Sequence, residues 1–423
     1  MFALVDCNNF YVSCERIFNP KLKNKPVIIL SNNDGCVVAL SNEAKQLNIP
    51  FGSPFFKIQD IIKKHNVFVF SSNYELYSDI SFRVMNALLN FSPDIEIYSI
   101  DEAFLSFKKF KQNSLTQYCF EIKNKIKKWI GVPISIGIGK TKTLAKLSCE
   151  IAKKNPDYKG VFNINECENI EKLFKEIKVE EIWGIGQKQK DKLNKRNIYT
   201  IFDYINSDDN WLKINLTIIG LKIKYELKGD ICFELNEIPQ PKKSIVSSRS
   251  FGKDVSNFFE LKEAISNYTT IAAEKLRAQN SVTKNISVFI ATNRFKKDEP
   301  QYANIYTTKL PIATANTGTL IKYAIICLEK IFKPDYKYKK AGVMFTEIIS
   351  KEKIELNLFE EKNFNDILKE EKLMNVIDKI NEKYGNNTIK YLALGLNNLW
   401  KMQRNQLSKR YTTNWNEILE INC

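Results

Sequence analysis

The stretch IEIYSIDEAFLSF, Ile95–Phe107, constrains the fold more than any other part of the chain. Asp101 and Glu102 stand side by side between two apolar runs rich in β-formers, so two strands meet at a pair of charges. Adjacent carboxylates in partly buried surroundings repel, and they need a compensating cation or free access to water. The opening run MFALV ends on a third acid, Asp6, as expected of a buried central strand that delivers a carboxylate at its C-terminal end.

The elements between these acids set a topology. SNYE, Ser72–Glu75, makes a capping box, after which Leu76, Ile80, Val84 and Leu88 recur at helical spacing until Pro93. The two strands around Asp101 and Glu102 follow. Next come a helix from about Ser114, with Ile122, Ile126 and Ile130 in register, and the strand VPISIGIG, Val132–Gly139. The order β, α, β, β, α, β is the ferredoxin-like split βαβ arrangement. Its first and third strands lie together in the middle of the sheet, which brings Asp6 to the Asp101–Glu102 turn. Three carboxylates on two neighbouring strands can hold two divalent cations about 3.5–4 Å apart. A hairpin tip merely decorated with acids would carry the same pair, and spacing alone does not separate the two readings.

Composition narrows the chemistry. The 423 residues suffice for two to four domains. Lys and Arg exceed Asp and Glu by 64 to 48, a formal charge of +16, which favours a polyanionic partner such as nucleic acid or an anionic membrane surface. There is one histidine, His65, and none of the nine cysteines forms a C-x-x-C pair, so zinc sites and histidine-based nucleophilic catalysis are nearly excluded. Carboxylates with metal ions are what remains for difficult chemistry. With no signal-like start and no run of 18 apolar residues, a soluble, cytoplasmic protein is expected.

About sixty residues, Tyr11–Ser71, separate the first strand from the first long helix, too many for a plain connection and better read as an inserted subdomain with a short helix carrying Lys45. The helix TKTLAKLSCEIAKKN follows a glycine-bearing strand end and puts Lys142, Lys146 and Lys153 in reach of an anion. VEEIWGIGQKQKDKL, Val179–Leu193, has the pattern of a helix-hairpin-helix with Gly184, Ile185 and Gly186 at its turn. Its glycine amides can approach a phosphate, and Lys188, Lys190 and Lys192 add charge. Past the linker EIPQPKKS, a third unit repeats the order strand, helix, strand, strand, helix, strand between 244 and 348. It carries no acid pair, and its basic surface includes Arg249, Arg294, Lys296 and Lys297. ELNLF, Glu355–Phe359, is an apolar peptide in a charged segment, either a docking peptide or a short strand packed on its own domain. A further helix and a possible strand, TIKYLALGL, lie beyond it.

Taken together, FALVDCNNFYVSCER, SNNDGCVV, SSNYELYSDIS, YSIDEAF, GIGKTKTLAKL, WGIGQK, SRSFG and KAGVM resemble the Y-family translesion DNA polymerases, in that order and from the first residue to the last few. The resemblance implies an α+β multidomain, right-hand polymerase. Its parts would be a ferredoxin-like palm (1–10 and 72–165), small fingers (11–71), a helical thumb with helix-hairpin-helix (166–236), a βαββαβ little finger (243–348) and a C-terminal region (349–423). It makes Asp6, Asp101 and Glu102 the catalytic, metal-binding carboxylates for two Mg²⁺ ions, assisted by the backbone carbonyl of Cys7. Tyr11 matches the steric gate that excludes a 2′-hydroxyl, and Asn42, Lys45 and Lys153 match triphosphate-contacting positions. Asn42 stands where other members have tyrosine and Lys45 where they have arginine, so monodentate contact is expected. DNA contacts are expected from Gly184, Ile185, Gly186, Lys188, Arg249 and Arg294. ELNLF resembles a sliding-clamp motif, with Glu355 in place of the family's glutamine and Leu356, Leu358 and Phe359 forming the apolar part.

The implied function is error-prone DNA synthesis past damaged template bases in an SOS-type response, in the bacterial cytoplasm and at the nucleoid when active. The implied partners are primer-template DNA, deoxynucleoside triphosphates, a processed UmuD-like dimer, a RecA filament and a sliding clamp. Two other readings use the same residues. A non-catalytic DNA-binding checkpoint factor on a polymerase scaffold would not need the three acids. A nucleotide cyclase would have no use for the helix-hairpin-helix and the basic third unit.

Overall fold

The computed structural model describes residues 1–108, 115–236, 240–353, 364–396, 400 and 402–420. They form two compact units, one of residues 1–31, 35–239 and 406–423 and the other of 32–34 and 240–405. Among the described residues no helix is long and apolar enough to cross a membrane.

In the first unit, β1 (Phe2–Cys7) is apolar apart from Asp6 and buried along its whole length. The insertion follows, with α1 (Phe10–Phe18), β2 (Val27–Leu30), β3 (Val37–Leu40), α2 (Asn42–Gln46), α3 (Gln59–His65) and β4 (Phe68–Ser71). Its strands make a small sheet in the order β3-β2-β4. The chain then returns as α4 (Tyr74–Leu88), β5 (Ile95–Ile97), β6 (Glu102–Ser106), α5 (Leu115–Ile130), β7 (Ile134–Gly139), α6 (Lys142–Lys154) and β8 (Val161–Asn163). The main sheet runs β5-β6-β1-β7-β8, so β1 is central and flanked by antiparallel β6 and β7. This is the ferredoxin-like arrangement expected from the sequence, extended by β8, a parallel edge strand that the sequence reading did not anticipate.

The predicted capping box at Ser72 is not formed. The Ser72 hydroxyl donates instead to the Leu30 carbonyl (2.5 Å), and the cap passes to Asn73, whose Oδ1 accepts from the Leu76 amide (3.3 Å). The helical part of this unit comprises α7 (Ile170–Glu176), α8 (Gln187–Asn194), α9 (Ile201–Asn206) and α10 (Asp209–Lys228). These pack around Phe174, Leu193, Ile201, Leu212 and Leu216, a core they share with Leu144 and Leu147 of α6 and Phe162 of β8.

The second unit contains β9 (Ile245–Val255), α11 (Phe258–Ala278), β10 (Ser281–Thr292), β11 (Ala303–Thr314), α12 (Thr317–Ile331) and β12 (Tyr338–Ser350). The order of elements repeats that of the first sheet, but the strand order does not. Here it is β11-β10-β12-β9, which sends the first strand to an edge instead of the centre. Its last helix, α13 (Phe364–Tyr384), is tied to α11 by a bidentate pair, Arg277 Nε and Nη2 with the Asp378 carboxylate (2.6 and 2.7 Å). The possible strand at TIKYLALGL is absent. The Asn381 side chain takes both backbone groups of Ile389 (3.0 and 2.9 Å), which leaves them nothing to offer a sheet, and the chain continues into a 3₁₀ turn at Leu392–Leu394.

Candidate active site

The register of β1 and β6 brings the acids together. Asp6 is paired directly with Glu102, and the Cys7 amide donates to the Asp101 carbonyl (2.9 Å). Ser99 shapes the turn that precedes β6. Its hydroxyl donates to Asp101 Oδ1 (2.6 Å) and accepts from the amides of Asp101 (3.2 Å) and Glu102 (3.1 Å). The repulsion expected of the acid pair is thus relieved in part by a local network of donors.

The remaining relief comes from α6. This helix lies against β7 because Gly137 and Gly139 have no side chains; a Cβ at Gly137 would stand 2.0 Å from the Cys149 amide nitrogen. The close approach sets Lys153 Nζ 2.6 Å from Asp6 Oδ2 and Lys146 Nζ 2.8 Å from both oxygens of Glu102. Lys146 also faces the rings of Tyr98 and Trp183. Lys142 is different. It is buried and paired with Glu96, so it is committed within the protein and not presented to an outside anion.

Burial, with Glu102 beside it, pushes the Asp6 carboxyl up to about 7 even though Lys153 pulls the other way. The site's three carboxyl groups outnumber its two ammonium groups, and in the kind of donor it offers, all hard oxygen, it fits divalent cations. Among the described residues no three carboxylates or thiols enclose a metal position, because Glu102 turns to Lys146 and Asp101 to Ser99. Burial holds the Cys7 thiol well above its ordinary range, so it stays protonated, and oxygen from this residue can come only from its carbonyl.

The acids open onto a cleft of about 620 Å³ lined by Asp6, Tyr11, Lys45, Asp101 and Lys153. Asn9, in a left-handed conformation (φ 45°), turns the chain from β1 into α1 and joins three elements. Its Nδ2 donates to Asn42 Oδ1 (3.0 Å), and its Oδ1 accepts from Lys45 Nζ (2.9 Å). Asn42 and Lys45 are thereby tied to the turn that follows Asp6, and Lys45 lines the cleft with it. The organiser, Asn9, was not singled out by the sequence reading, although an Asn-Asn pair after an apolar run is a signal for a left-handed turn. Tyr11 stacks on the fully buried Tyr77, with ring centroids 4.5 Å apart and an interplanar angle of 17°.

The expected nucleic-acid residues fare unequally. Gly184 adopts φ +89°, and Lys188 is exposed, but Ile185 is buried in the helical core and the Gly186 amide is already given to Gln189 Oε1 (2.8 Å). Ile185 is thus a packing residue and not a surface contact. Lys190 pairs with Glu180 (2.6 Å), and Lys192 donates to the Asn215 carbonyl (3.1 Å). In the second unit Arg249 is exposed on the edge strand β9, opposite Ala341 of β12. Arg294 stacks on Phe295 in a groove that also contains Lys339 and Lys340. Lys296 is neutralised by Asp254 (2.7 Å) and Glu299 (3.1 Å). Glu355, Leu356, Leu358 and Phe359 lie outside the described residues.

A ferredoxin-like sheet with acids at the end of its central strands, a small inserted sheet, a helical module and a separate four-stranded unit define a Y-family DNA polymerase fold. Solved structures that share it include a Y-family polymerase chimera, Dbh-Dpo4(243-245)-Dbh, with a TM-score of 0.65 at 22% identity over 83% of this chain and 100% of that one. An insertion ternary complex of Dbh DNA polymerase gives 0.53 at 21%, with the same coverage.

Models of the impB/mucB/samB family match residues 5–150, and of its C-terminal domain residues 242–358, while a domain of unknown function, DUF4113, matches 371–421. UmuC of Salmonella typhimurium is 39% identical over 100% of both chains, and MucB of Escherichia coli 37% over 99% of both. DNA polymerase IV of Saccharolobus solfataricus is 28% identical over 82% of this chain and 96% of its own. The chain belongs to the impB/mucB/samB family.

Proposed function

We propose that this chain is the catalytic subunit of an error-prone translesion DNA polymerase that transfers nucleotides past damaged template bases in the SOS response. The observation that carries the reading is the register that puts Asp6 opposite Glu102, at the mouth of a cleft that also holds Tyr11, Lys45 and Lys153. Asp6, Asp101, Glu102 and the Cys7 carbonyl would hold two Mg²⁺ ions. When bound, these lower the pKa of the primer 3′-hydroxyl and stabilise charge on the α-phosphate and the leaving pyrophosphate.

The protein's own residues do the rest. Tyr11, backed by Tyr77, presents a ring to the sugar and excludes a 2′-hydroxyl. Lys45 and Asn42, ordered through Asn9, meet the triphosphate, and Lys153 is shared between Asp6 and the incoming phosphates. Palm (1–10 and 72–165), fingers (11–71), thumb (166–236) and little finger (243–348) divide the work, with DNA held by Gly184, Lys188, Arg249 and Arg294. Outside the chain, a processed UmuD-like dimer, a RecA filament and a sliding clamp are the partners, in the cytoplasm and at the nucleoid.

Primer extension past an abasic site, with Mg²⁺ and these partners, tests the assignment. The parent should extend, and the Asp101→Ala, Glu102→Ala variant should not. A folded, DNA-binding parent that extends neither damaged nor intact templates would return the chain to the non-catalytic scaffold reading.

A further inference from the structure

Residues 406–420, the end of the DUF4113 segment, belong to the first unit and run along the back of Tyr11's support. The Gln406 amide donates to Ser71 Oγ (2.9 Å), and its carbonyl accepts from the Ser71 amide (2.9 Å). Asn73, buried at the cap of α4, donates from Nδ2 to Ser408 Oγ (2.9 Å) and to the Ser408 and Lys409 carbonyls (3.2 Å each). Tyr411 stacks on Phe18 of α1 with centroids 4.7 Å apart. The Arg410 backbone and guanidinium close on Glu417, so the segment is folded and not a loose tail.

The Ser408 hydroxyl links the segment to a charged side chain of the core, donating to Glu15 Oε1 (2.9 Å). The same oxygen accepts from the Tyr77 hydroxyl (2.7 Å). Glu15 is buried on α1 four residues after Tyr11, on the same helix face, and Tyr77 lies along that face with its ring on Tyr11 and its hydroxyl on Glu15. Tyr77 is therefore fixed at both ends. Ser408 supplies one of the two hydroxyls that hold Glu15 in place.

We propose that Gln406–Tyr411 is a positioning strap for the sugar-selecting wall of the nucleotide site, acting through Ser408, Glu15 and Tyr77 on Tyr11. The proposal rests on Tyr11 being that wall. It gives the end of the DUF4113 segment a specific task in the reaction, the discrimination of deoxyribonucleotides from ribonucleotides. Ser408 makes no contact with substrate and is a positioning residue.

The test compares kcat/KM for a deoxyribonucleotide and its ribonucleotide in the full chain with its partners. A single neutral hydrogen bond is worth about 1 kcal/mol, so Ser408→Ala should reduce discrimination roughly five-fold. Ser408→Thr should restore it, and in a Tyr11→Ala background Ser408→Ala should add nothing. Ser408→Ala changes one hydroxyl at a partly exposed position, and its melting temperature reports whether folding survives. A uniform loss of activity with an unchanged ratio overturns the strap as a selectivity device. So does an unchanged ratio in Ser408→Ala when Tyr11→Ala shifts it. If Tyr11→Ala itself leaves the ratio unchanged, the assignment of the wall has failed and takes the strap with it.

Discussion

Lys146 Nζ lies 2.8 Å from each carboxylate oxygen of Glu102, so a single ammonium engages both oxygens of an acid that a metal ion would need. Any cation at Glu102 competes with it. The pair is partly exposed, with side-chain exposures of 19% and 14%, and the Coulomb term is tempered by solvent. Lys146→Met keeps the stem against Tyr98 and Trp183 and removes the charge. Its half-saturating Mg²⁺ concentration in primer extension should fall roughly five-fold, equivalent to a pair worth about 1 kcal/mol. An unchanged or increased Mg²⁺ requirement would show that Lys146 supports the metal-bound arrangement instead of opposing it.

Gly137→Ala should be among the more damaging single-carbon changes in the chain. The added Cβ would meet backbone atoms of α6, Cys149 N at 2.0 Å and the Ala145 carbonyl oxygen at 2.3 Å, which cannot step aside as a side-chain tip could. The helix must move, and it carries both Lys146 and Lys153. Overpacking of this kind costs on the order of 1–3 kcal/mol. We expect a lower melting temperature and a loss of nucleotide insertion, while DNA retention by the basic second unit persists. Thermal unfolding and gel-shift measurements on the same preparation separate the two effects.

How much of this was legible beforehand depends on the kind of interaction. Asp6, Asp101 and Glu102 could be read because strand periodicity and the βαββαβ order leave few registers, and β1 pairs with β6 as that order demands. Asn42 and Lys45 could be read only through resemblance, and their link to the site runs through Asn9, whose turn conformation is local but whose partners are 33 and 36 residues away. Lys142 and Lys153 look alike in sequence. They differ because one faces Glu96 in the interior and the other Asp6 at the cleft, a distinction of helix phase against the sheet. Ile185 sits in a glycine turn that reads as a surface loop, yet its side chain fills the helical core. Ser72 offered a good cap by pattern, and long-range demand from Leu30 took it. The strap could not be read at all, since Ser408 and Glu15 are 393 residues apart.

The second unit offers a test of how α13 is held. Arg277 is nearly buried, with a side-chain exposure of 12%, and it spends its guanidinium on Asp378, the Ala315 carbonyl and Thr317. Asp378→Ala would leave that guanidinium short of its counter-charge, whereas Asp378→Asn preserves an acceptor. Asp378 is about one-third exposed, so we expect a loss of about 1–2 kcal/mol for alanine, below the range for fully buried pairs, and a smaller loss for asparagine. Limited proteolysis should cut first near α13 in the alanine variant. Equal resistance of both variants and the parent would mean that apolar packing alone docks the helix.

Glu15 should make stability fall as the medium becomes alkaline. Burial pushes its carboxyl up to about 7 from the ordinary 4.5, against the opposing pull of the Tyr77 and Ser408 hydroxyls. The groups that face it are neutral: those two hydroxyls, the Cys14 thiol and the Tyr411 ring. With the folded value above the unfolded one, the folded state binds the proton more tightly. Its contribution is fully present below about pH 4.5 and is lost as pH rises through about 7. Glu15→Gln keeps an oxygen for both hydroxyls and does not titrate. Above pH 7.5 the glutamine variant should therefore be the more stable by on the order of 2–3 kcal/mol, a margin that closes as pH is lowered toward 5. Denaturant midpoints at pH 5.5 and pH 8 decide the matter. A difference between the two proteins that is the same at both pH values would mean that Glu15 is ionised throughout, held charged by its donors in spite of its burial.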